Sequence, residues 1–393
     1  MTRSIRHLLL AIGAILIIAG QTHAADELAA WKSGVKLAPV AAEPGRHTIH
    51  SYYVSCPESP DGQWVLFFSS TALDSHLGEV RIRHRTSGDE KVLAKDVSVE
   101  DAHRVACQQW LSGGKRVAYH DLRDDESSVV LVDVATGEKK IIAPGRQVGW
   151  GQPTADLLPV YAPHWNPRGN RDVQILNVVS GETVATIKAD DIRAKFPEAV
   201  MKEFADKPIS IYFPVLSPDL TKVFYKLATP LGGAVRSKQA SHRQCLGWYD
   251  LKQSKFEHLL PKWGHPAWHP DSRQIIEIAT NLISTDTAVS VRVPNVPGFS
   301  GSHPSVSPSG NLFITDWAME KRSGVSGEWG IVVGDIKTGE HVVIHKFAHN
   351  QGARSWRRSH PHPHFSADGK RIYYNVADGP WNRLFVAEVG GGA

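Results

Sequence analysis

The sequence predicts an all-β fold, a seven-bladed β-propeller, from a short pattern that recurs along the chain. In each copy a Ser-Pro-Asp-Gly-like turn is followed by an apolar strand, as in "ESPDGQWVLFFSS" from Glu58 and "FSADGKRIYYNV" from Phe365. Such internal repeats are the sequence signature of propellers and related arrays. The phasing favours a closed ring over the alternative, a β-sandwich array. The turns fall near residues 62, 114, 156, 219, 271, 309 and 369.

Second hairpins lie between these turns, for example "VVLVDVATGEKKII" from Val129 and "GIVVGDIKTGEHVVI" from Gly330. Their apolar residues alternate around Gly, Asn or Asp turns, which is typical of antiparallel strands. Two hairpins per repeat make a four-stranded blade. Residues 189–208 instead show helical spacing and predict a short helical insertion between blades three and four. We expect an N-terminal strand within residues 25–50 and the last strand, 383–389, to help close the ring.

The first 24 residues have the form of a secretory signal peptide: Arg3 and Arg6, an apolar run over residues 8–19, and a small-residue cleavage site. We therefore expect a periplasmic or secreted protein whose propeller occupies residues 25–393. Without the two leading arginines, 42 basic side chains face 40 acidic ones, so the charge gives no reason to expect a nucleic-acid partner. No later stretch is apolar for long enough to span a membrane. We expect a monomer.

A histidine motif, "SHPHPHFSADGKRIYYNV", stands near the C-terminus. In an extended strand, alternating residues share one face, and the two prolines require a strand with a free side, such as the channel-lining strand of a blade. Two further histidines, in blades five and six, stand at the same position as His362, seven residues before the turn residue of their repeat. Imidazoles from neighbouring blades would converge on one divalent ion, zinc, manganese or iron. The alternative is that channel histidines order water. The residues concerned are His360, His362, His364, His303 and His265.

This motif, together with "SHPSVSPSGNLFITDW", resembles the histidine strands of oligogalacturonate lyases. Those enzymes are seven-bladed propellers that hold a divalent metal, usually manganese, with three histidines and a glutamine. The resemblance implies that His303, His360 and His362 bind the metal, with His265 as a possible extra ligand. Arg357 stands where the family has its glutamine; we assign it to substrate binding, and Gln351 is another candidate for the fourth ligand.

A second resemblance covers more of the chain. "DAHRVACQQWLSGGKRVAYHD" and "RSKQASHRQCLGWYDL" are similar to stretches of propeller lyases that cut uronate polysaccharides such as ulvan. It implies catalytic roles for His103, His120, Tyr225 and Arg243, with Arg236 as a further substrate-binding candidate. The alternatives are structural: a loop histidine, a strand-end histidine, a core tyrosine and a salt-bridged arginine. β-Elimination needs a cation on the uronate carboxylate, a base for the adjacent proton and an acid for the leaving oxygen.

From these observations the sequence predicts an exported lyase that cleaves an acidic oligo- or polysaccharide with the help of manganese or zinc. The rival hypothesis is a non-catalytic periplasmic propeller, like that of the Tol system, which binds a protein or cell-wall partner. A hydrolase is the third, but no Gly-x-Ser-x-Gly stretch is present. Of the three cysteines, Cys107 should face the channel and Cys245 should lie in an outer strand, so these two should not pair.

Overall fold

The computed structural model describes residues 27–237, 239–298, 303–348 and 360–390. Their strands form seven four-stranded antiparallel sheets, so the predicted seven-bladed β-propeller is confirmed. In every blade, the repeated turn stands just before the second strand. The predicted signal peptide, residues 1–24, lies outside the described residues and stays a prediction.

We number the blades in chain order and list the strands of each from the channel outward. Blade 1 comprises His47–Ile49, Trp64–Ser70, Leu77–His84 and Glu90–Ser98. Blade 2 comprises Gln109–Leu111, Arg116–Arg123, Glu126–Asp133 and Lys139–Pro144. Blade 3 comprises Gln147–Val148, Leu157–Tyr161, Val173–Asn177 and Thr183–Ile187. Blade 4 comprises Ser210–Leu216, Lys222–Pro230, Ser241–Asp250 and Lys255–Leu260.

The remaining blades follow the same order. Blade 5 comprises Ala267–Trp268, Gln274–Glu277, Asn281–Ser284 and Ser290–Arg292. Blade 6 comprises Ser305–Val306, Leu312–Ala318, Glu328–Asp335 and His341–Ala348. Blade 7 comprises His364–Phe365, Arg371–Asp378, Trp381–Val389 and, from the start of the chain, Val35–Pro39.

The ring closes in blade 7, where the N-terminal strand pairs with the last strand from Val35 opposite Val389 onward. This confirms the predicted closure. A buried ion pair joins the same blade to blade 1: the Nε of Arg371 donates to Glu58 over 2.7 Å and its Nη2 over 2.9 Å. Because both Glu58 oxygens accept from one planar guanidinium, the pair fixes the relative position of the two blades.

The repeated turn owes its conformation to local hydrogen bonds. In blade 7 the Ser366 hydroxyl accepts from the backbone N–H of Arg371 over 3.0 Å and donates to Asp368 over 2.6 Å. Gly369 then takes a φ of 71°, in the left-handed region where glycine has no steric penalty. The Ser-x-Asp-Gly pattern thus encodes a tight entry into each second strand.

The predicted helical insertion is confirmed as two short helices, Ala189–Lys195 and Pro197–Phe204. Phe196 separates them with φ −126° and ψ 56°, and Pro197 begins the second helix, where its missing N–H has no cost. The buried faces of the helices pack beside blades 3 and 4. The other helical segments among the described residues are 27–32, Glu320–Ser323 and the 3₁₀ turns Ser112–Gly114 and Ile278–Thr280. None of the helices in the described ranges is long and apolar enough to cross a membrane.

Buried histidines make the fold sensitive to acid. His47 is fully buried, its Nδ1 accepts the backbone N–H of Asn382 over 2.9 Å, and burial lowers its pKa from 6.5 to about 4. On acidification, the unfolded chain therefore protonates His47 before the folded protein does. The stability that the neutral ring provides is fully present above the unfolded pKa of 6.5 and is lost as the pH falls toward 4. Full protonation costs on the order of 3 kcal/mol for this side chain.

We therefore expect the melting temperature to fall on acidification from about pH 7 to about pH 4.5, and His47→Gln to make the fall shallower. Thermal unfolding followed by circular dichroism at several pH values measures both effects. A melting temperature that does not change over this range would contradict the assignment.

Candidate metal centre and its cavity

Four histidines meet at one mouth of the channel. The ligand atoms of His103, His303, His360 and His362 all lie within 4.8 Å of one another. His303 precedes the innermost strand of blade 6, and His360 and His362 precede that of blade 7. His103 comes from the loop between blades 1 and 2. The structure therefore brings the three predicted ligands together and adds a fourth imidazole, which the sequence indicates only as a catalytic residue.

One detail of the predicted motif is wrong. Its three imidazoles do not share one face, because His362 has a φ of 48° and interrupts the extended backbone. Only His364 and Phe365 are in strand conformation, and His364 lies in a separate pocket with Cys56 and Glu58. Cys107 occupies the equivalent position in blade 2, seven residues before the turn glycine, and has a φ of 49°. A left-handed residue thus precedes the channel-lining strand in both blades.

A buried carboxylate orients one imidazole of the cluster. Asp316 accepts from His303 twice, from the ring Nδ1 over 2.7 Å and from the backbone N–H over 3.1 Å. Burial alone would raise the pKa of Asp316, but contact with His303 outweighs it and holds the pKa below its ordinary value. The Nε2 atom of His303 has no hydrogen-bond partner among the described residues, and its lone pair is left for a ligand bond. Carboxylate–histidine pairs of this kind orient metal-binding imidazoles.

His362, like His303, is fully buried. Neither of its ring nitrogens has a hydrogen-bond partner among the described residues. Burial, followed by the neighbouring histidines, holds its pKa well below the usual range, so the ring is neutral. Buried polar atoms without partners are costly, and a divalent ion would satisfy this one. The four imidazoles therefore fit a metal site.

His265, the possible extra ligand, lies beside the cluster but is not one of the four close residues. Its ring centroid is 4.6 Å from that of His303. Its Nδ1 atom is buried and has no hydrogen-bond partner in the part of the chain that the structure describes. Burial lowers its pKa well below the ordinary value, with His303 and Lys226 adding to the effect. The result is a neutral imidazole at the edge of the cluster.

A cavity of about 770 Å³ opens above the histidines. On its wall the guanidinium carbons of Arg104 and Arg243 lie 5.6 and 5.7 Å from the centroid of the Tyr212 ring. Arg243 also donates through Nη1 to the Tyr212 hydroxyl over 3.3 Å. The cavity is lined by Tyr52, Asp74, His76, Glu100, Asp101, Ala102, His103, Arg104, His164, Tyr212, Val235, Arg236, Ser237, Arg243, Trp263, His265 and His360.

The carboxylate of Glu100 on this wall is neutralised by its neighbours. It accepts from Arg104 Nη2 over 3.1 Å and from His164 Nε2 over 2.9 Å, and the Nδ1 of His164 lies 2.7 Å from the Ser241 hydroxyl. Burial would raise the pKa of Glu100, but His164 and Arg104 hold it below its ordinary value. Arg104 is thereby fixed against the Tyr212 ring, and the Glu100 charge is compensated within the wall.

The structure separates the other predicted site residues. Arg243 and Arg236 line the cavity, and Arg236 donates to the Val99 carbonyl over 3.0 Å. His120 is buried in the second strand of blade 2, where burial lowers its pKa to about 3. Tyr225 is buried in blade 4, with its ring centroid 6.2 Å from that of Phe256. Neither lines the cavity, so their location gives no support to the predicted catalytic roles.

Two other sequence predictions concern residues away from the cavity wall. Arg357 and Gln351 lie outside the described residues. Cys107 and Cys245 are both unpaired, as expected, and so is Cys56. Burial raises the pKa of the Cys107 and Cys245 thiols to about 12, so both are protonated and unreactive at neutral pH.

Sequence reasoning missed Tyr212, Arg104 and Trp263 as cavity residues. A signal for Tyr212 was present: the position seven residues before the turn residue, which holds His303 in blade 6, is Phe213 in blade 4. Phe213 has the same left-handed φ as His362, at 56°, and turns its neighbour Tyr212 toward the cavity. Arg104 and Trp263 lie in loops, where the repeated pattern does not predict which side chains face the channel.

The chain matches no known protein-family profile and no curated protein sequence. Among solved structures it is similar to the oligogalacturonate lyase of Vibrio parahaemolyticus, with a TM-score of 0.59 and 13% identity over 91% of this chain and 98% of the other. An oligogalacturonate lyase in complex with manganese aligns over 91% and 97% at 14% identity, with a TM-score of 0.46. A chain of the mitotic checkpoint complex aligns over 90% and 91% at 11% identity, with a TM-score of 0.53.

These likenesses concern the fold. They confirm, at that level, the resemblance to oligogalacturonate lyase that the histidine motif indicates. The third likeness, to an assembly with an unrelated name, shows that the same architecture serves other purposes. This chain is thus a seven-bladed β-propeller that shares its fold with an oligogalacturonate lyase.

Proposed function

We propose that this protein is a lyase that cleaves uronate-containing glycans by metal-assisted β-elimination. The observation that carries the proposal is the meeting of four imidazoles within 4.8 Å at the floor of a cavity whose wall presents Arg243. The first feature suits a divalent cation and the second suits a carboxylate. Both are requirements of elimination next to a carboxylate.

The residues that would hold the metal are His103, His303, His360 and His362. When bound, a divalent cation such as zinc or manganese would act as a Lewis acid that stabilises negative charge on the uronate. Asp316 holds the His303 ring so that its Nε2 faces the cluster. The role of this chain is to bring the four rings together and to orient them.

Arg243 supplies the second positive charge. It is half-buried, and it makes no ion pair with any described residue. The neighbouring Tyr212 raises its pKa, so the guanidinium stays charged. Its planar fork can bind both oxygens of a carboxylate, which binds the substrate and neutralises the charge that builds as the adjacent proton leaves.

Proton transfer falls to the side chains that face the same space. The ring of His265 lies beside the cluster and its Nδ1 has no hydrogen-bond partner among the described residues, so we assign it the role of base. Tyr212 accepts a hydrogen bond from Arg243, which leaves its own O–H to donate to the leaving oxygen. Tyr212 thus takes the part that the sequence assigns to Tyr225, and both residues belong to blade 4.

The rival hypothesis, a non-catalytic propeller that binds a protein or the cell wall, accounts for the fold but not for the site. A scaffold has no use for buried imidazole nitrogens without partners, because each such atom costs stability. It also has no use for an arginine held over a tyrosine without a counter-ion. These two features favour catalysis on an acidic substrate.

Incubation with a panel of uronate polymers tests the proposal. β-Elimination leaves a double bond conjugated to the carboxylate, so each productive substrate gives rising ultraviolet absorbance. We expect a signal with at least one polymer in the presence of zinc or manganese, and loss of the signal in a His265→Gln variant that keeps its melting temperature. No signal with any polymer in metal-supplemented assays would favour the binding module.

A further inference from the structure

Trp263 differs from the other tryptophans of the described ranges, since it alone is exposed, with 37% of its surface accessible. It is also part of the cavity lining. An indole ring open to solvent costs hydration energy unless something covers it, and its flat face suits the C–H surface of a pyranose ring. This residue has no role in the metal cluster or in proton transfer.

The ring is supported from behind by a buried cation. The Nζ of Lys226 lies 3.9 Å from the Trp263 ring centroid and donates to the carbonyl of Gly264. Gly264 itself packs against Glu277: a Cβ atom added there would overlap the Glu277 carboxylate. Glu277 in turn pairs with Lys262. Contacts on both flanks thus hold Trp263 in place.

Burial of the Lys226 ammonium needs compensation. The face of an aromatic ring attracts a cation, more strongly when water is excluded, and the Gly264 carbonyl accepts one of its hydrogens. Lys226 is almost fully buried, so it lies behind the ring, away from solvent. The exposed part of the indole therefore faces the cavity, which is where a ligand would stack.

A carboxylate-binding group lies next to this ring. The Arg243 guanidinium carbon is 5.8 Å from the Trp263 centroid. The His265 ring also lies close, with its centroid 6.0 Å from that of Trp263. A sugar on the indole would thus lie close to both an arginine and the histidine cluster. A pyranose that carries a carboxylate on its ring matches both contacts at once, whereas a neutral sugar or a linear acid matches only one.

We propose that Trp263 is the stacking platform for the uronate ring whose carboxylate Arg243 binds, with Lys226 as a positioning residue behind the platform. This inference rests on the proposed function for the class of substrate, a hexuronate. It adds the selection of a cyclic acid over other anions. No covalent step is involved.

Binding of single sugars tests the platform without cleavage, because galacturonate and glucuronate contain no bond between sugars. Dissociation constants are measured by calorimetry for the metal-loaded protein, and saturation-transfer NMR identifies the ring protons that touch the protein. We expect Trp263→Ala to weaken binding of at least one of the two uronates about tenfold or more, with loss of transfer to ring C–H protons. Trp263→Phe, which keeps an aromatic face, should weaken it less. Lys226→Met should lower the affinity without changing metal uptake.

The matched controls are Trp64→Phe, a half-buried tryptophan in blade 1, and glucose as a neutral sugar. Trp64→Phe should change uronate affinity by no more than about twofold, and Trp263→Ala should change the weak binding of glucose by no more than about twofold. Equal uronate affinity in wild type and Trp263→Ala would overturn the platform, as would wild-type protein that binds neither uronate. If the polymer panel still shows elimination in that case, only the platform fails; a silent panel contradicts the proposed function itself.

Discussion

Replacing His362 with alanine is expected to abolish uptake of a divalent ion by a protein that otherwise binds about one. His362 is buried with both ring nitrogens lacking described partners, so the ion replaces no existing hydrogen bond there. Loss of one of four imidazoles should lower the affinity by more than about a hundredfold, since even outer hydrogen-bond partners of metal ligands are worth ten- to a hundredfold. Elemental analysis after dialysis, and calorimetry with zinc and manganese, measure the effect.

Two further variants calibrate this result. Asp316→Asn should weaken metal binding by about ten- to a hundredfold, because it loosens the His303 ring without removing a ligand. His364→Ala is the matched control: it belongs to the same motif but lies in a separate pocket, and it should leave metal uptake unchanged. Wild-type protein that takes up no divalent ion would mean that the four rings only order water.

The second large effect is expected at Arg243. Arg243→Lys keeps the charge but loses the planar fork, so turnover should fall about a hundredfold or more while the Michaelis constant changes less. The reason is that the pairing strengthens as charge builds on the carboxylate in the transition state. Because Arg243 makes no ion pair with described residues, the melting temperature should change little.

Steady-state kinetics on the most responsive uronate polymer check this, with Arg236→Lys as the comparison. Arg236 is exposed at the cavity rim and donates to a backbone carbonyl, so its replacement should affect binding more than turnover. Near-normal turnover in well-folded Arg243→Lys protein would remove this arginine from the reaction.

The fold could be predicted because its determinants are local. Turns such as that of blade 7 carry their own hydrogen-bond partners, Ser366 and Asp368, and six of the seven turns contain a left-handed residue. Even where glycine is absent, Leu220 and Ser272 adopt φ values of 62° and 59° at the same place. A pattern that depends on residues two to five apart survives large changes elsewhere, and seven copies of it indicate the ring.

The metal ligands could be predicted in part for the same reason. Equivalent positions of successive blades face one channel, so the shared phase of His303 and His362 places them together. His103 could not be found in this way. Its loop is set by contacts distant in sequence and by Asp101, which accepts the backbone N–H groups of His103 and Arg104.

The left-handed backbone at His362 could not be predicted from the sequence either, because neither a histidine nor its flanking prolines indicate a positive φ. Trp263 looks like an ordinary core residue in the sequence, and only the packed structure shows that it reaches the cavity. Local patterns thus encode the scaffold, whereas the substrate side of the site arises from contacts between blades.

Elimination and hydrolysis of a uronate polymer differ in the fate of solvent oxygen. Digestion of a responsive uronate polymer in heavy-oxygen water, followed by mass spectrometry, distinguishes the two ways of breaking the bond. For a lyase we expect a new chain end that is lighter by one water than a hydrolysis product, with no solvent oxygen in either fragment apart from exchange at the reducing end. Incorporation of heavy oxygen at the cleaved bond, with no unsaturated product, would show hydrolysis and contradict the proposed elimination.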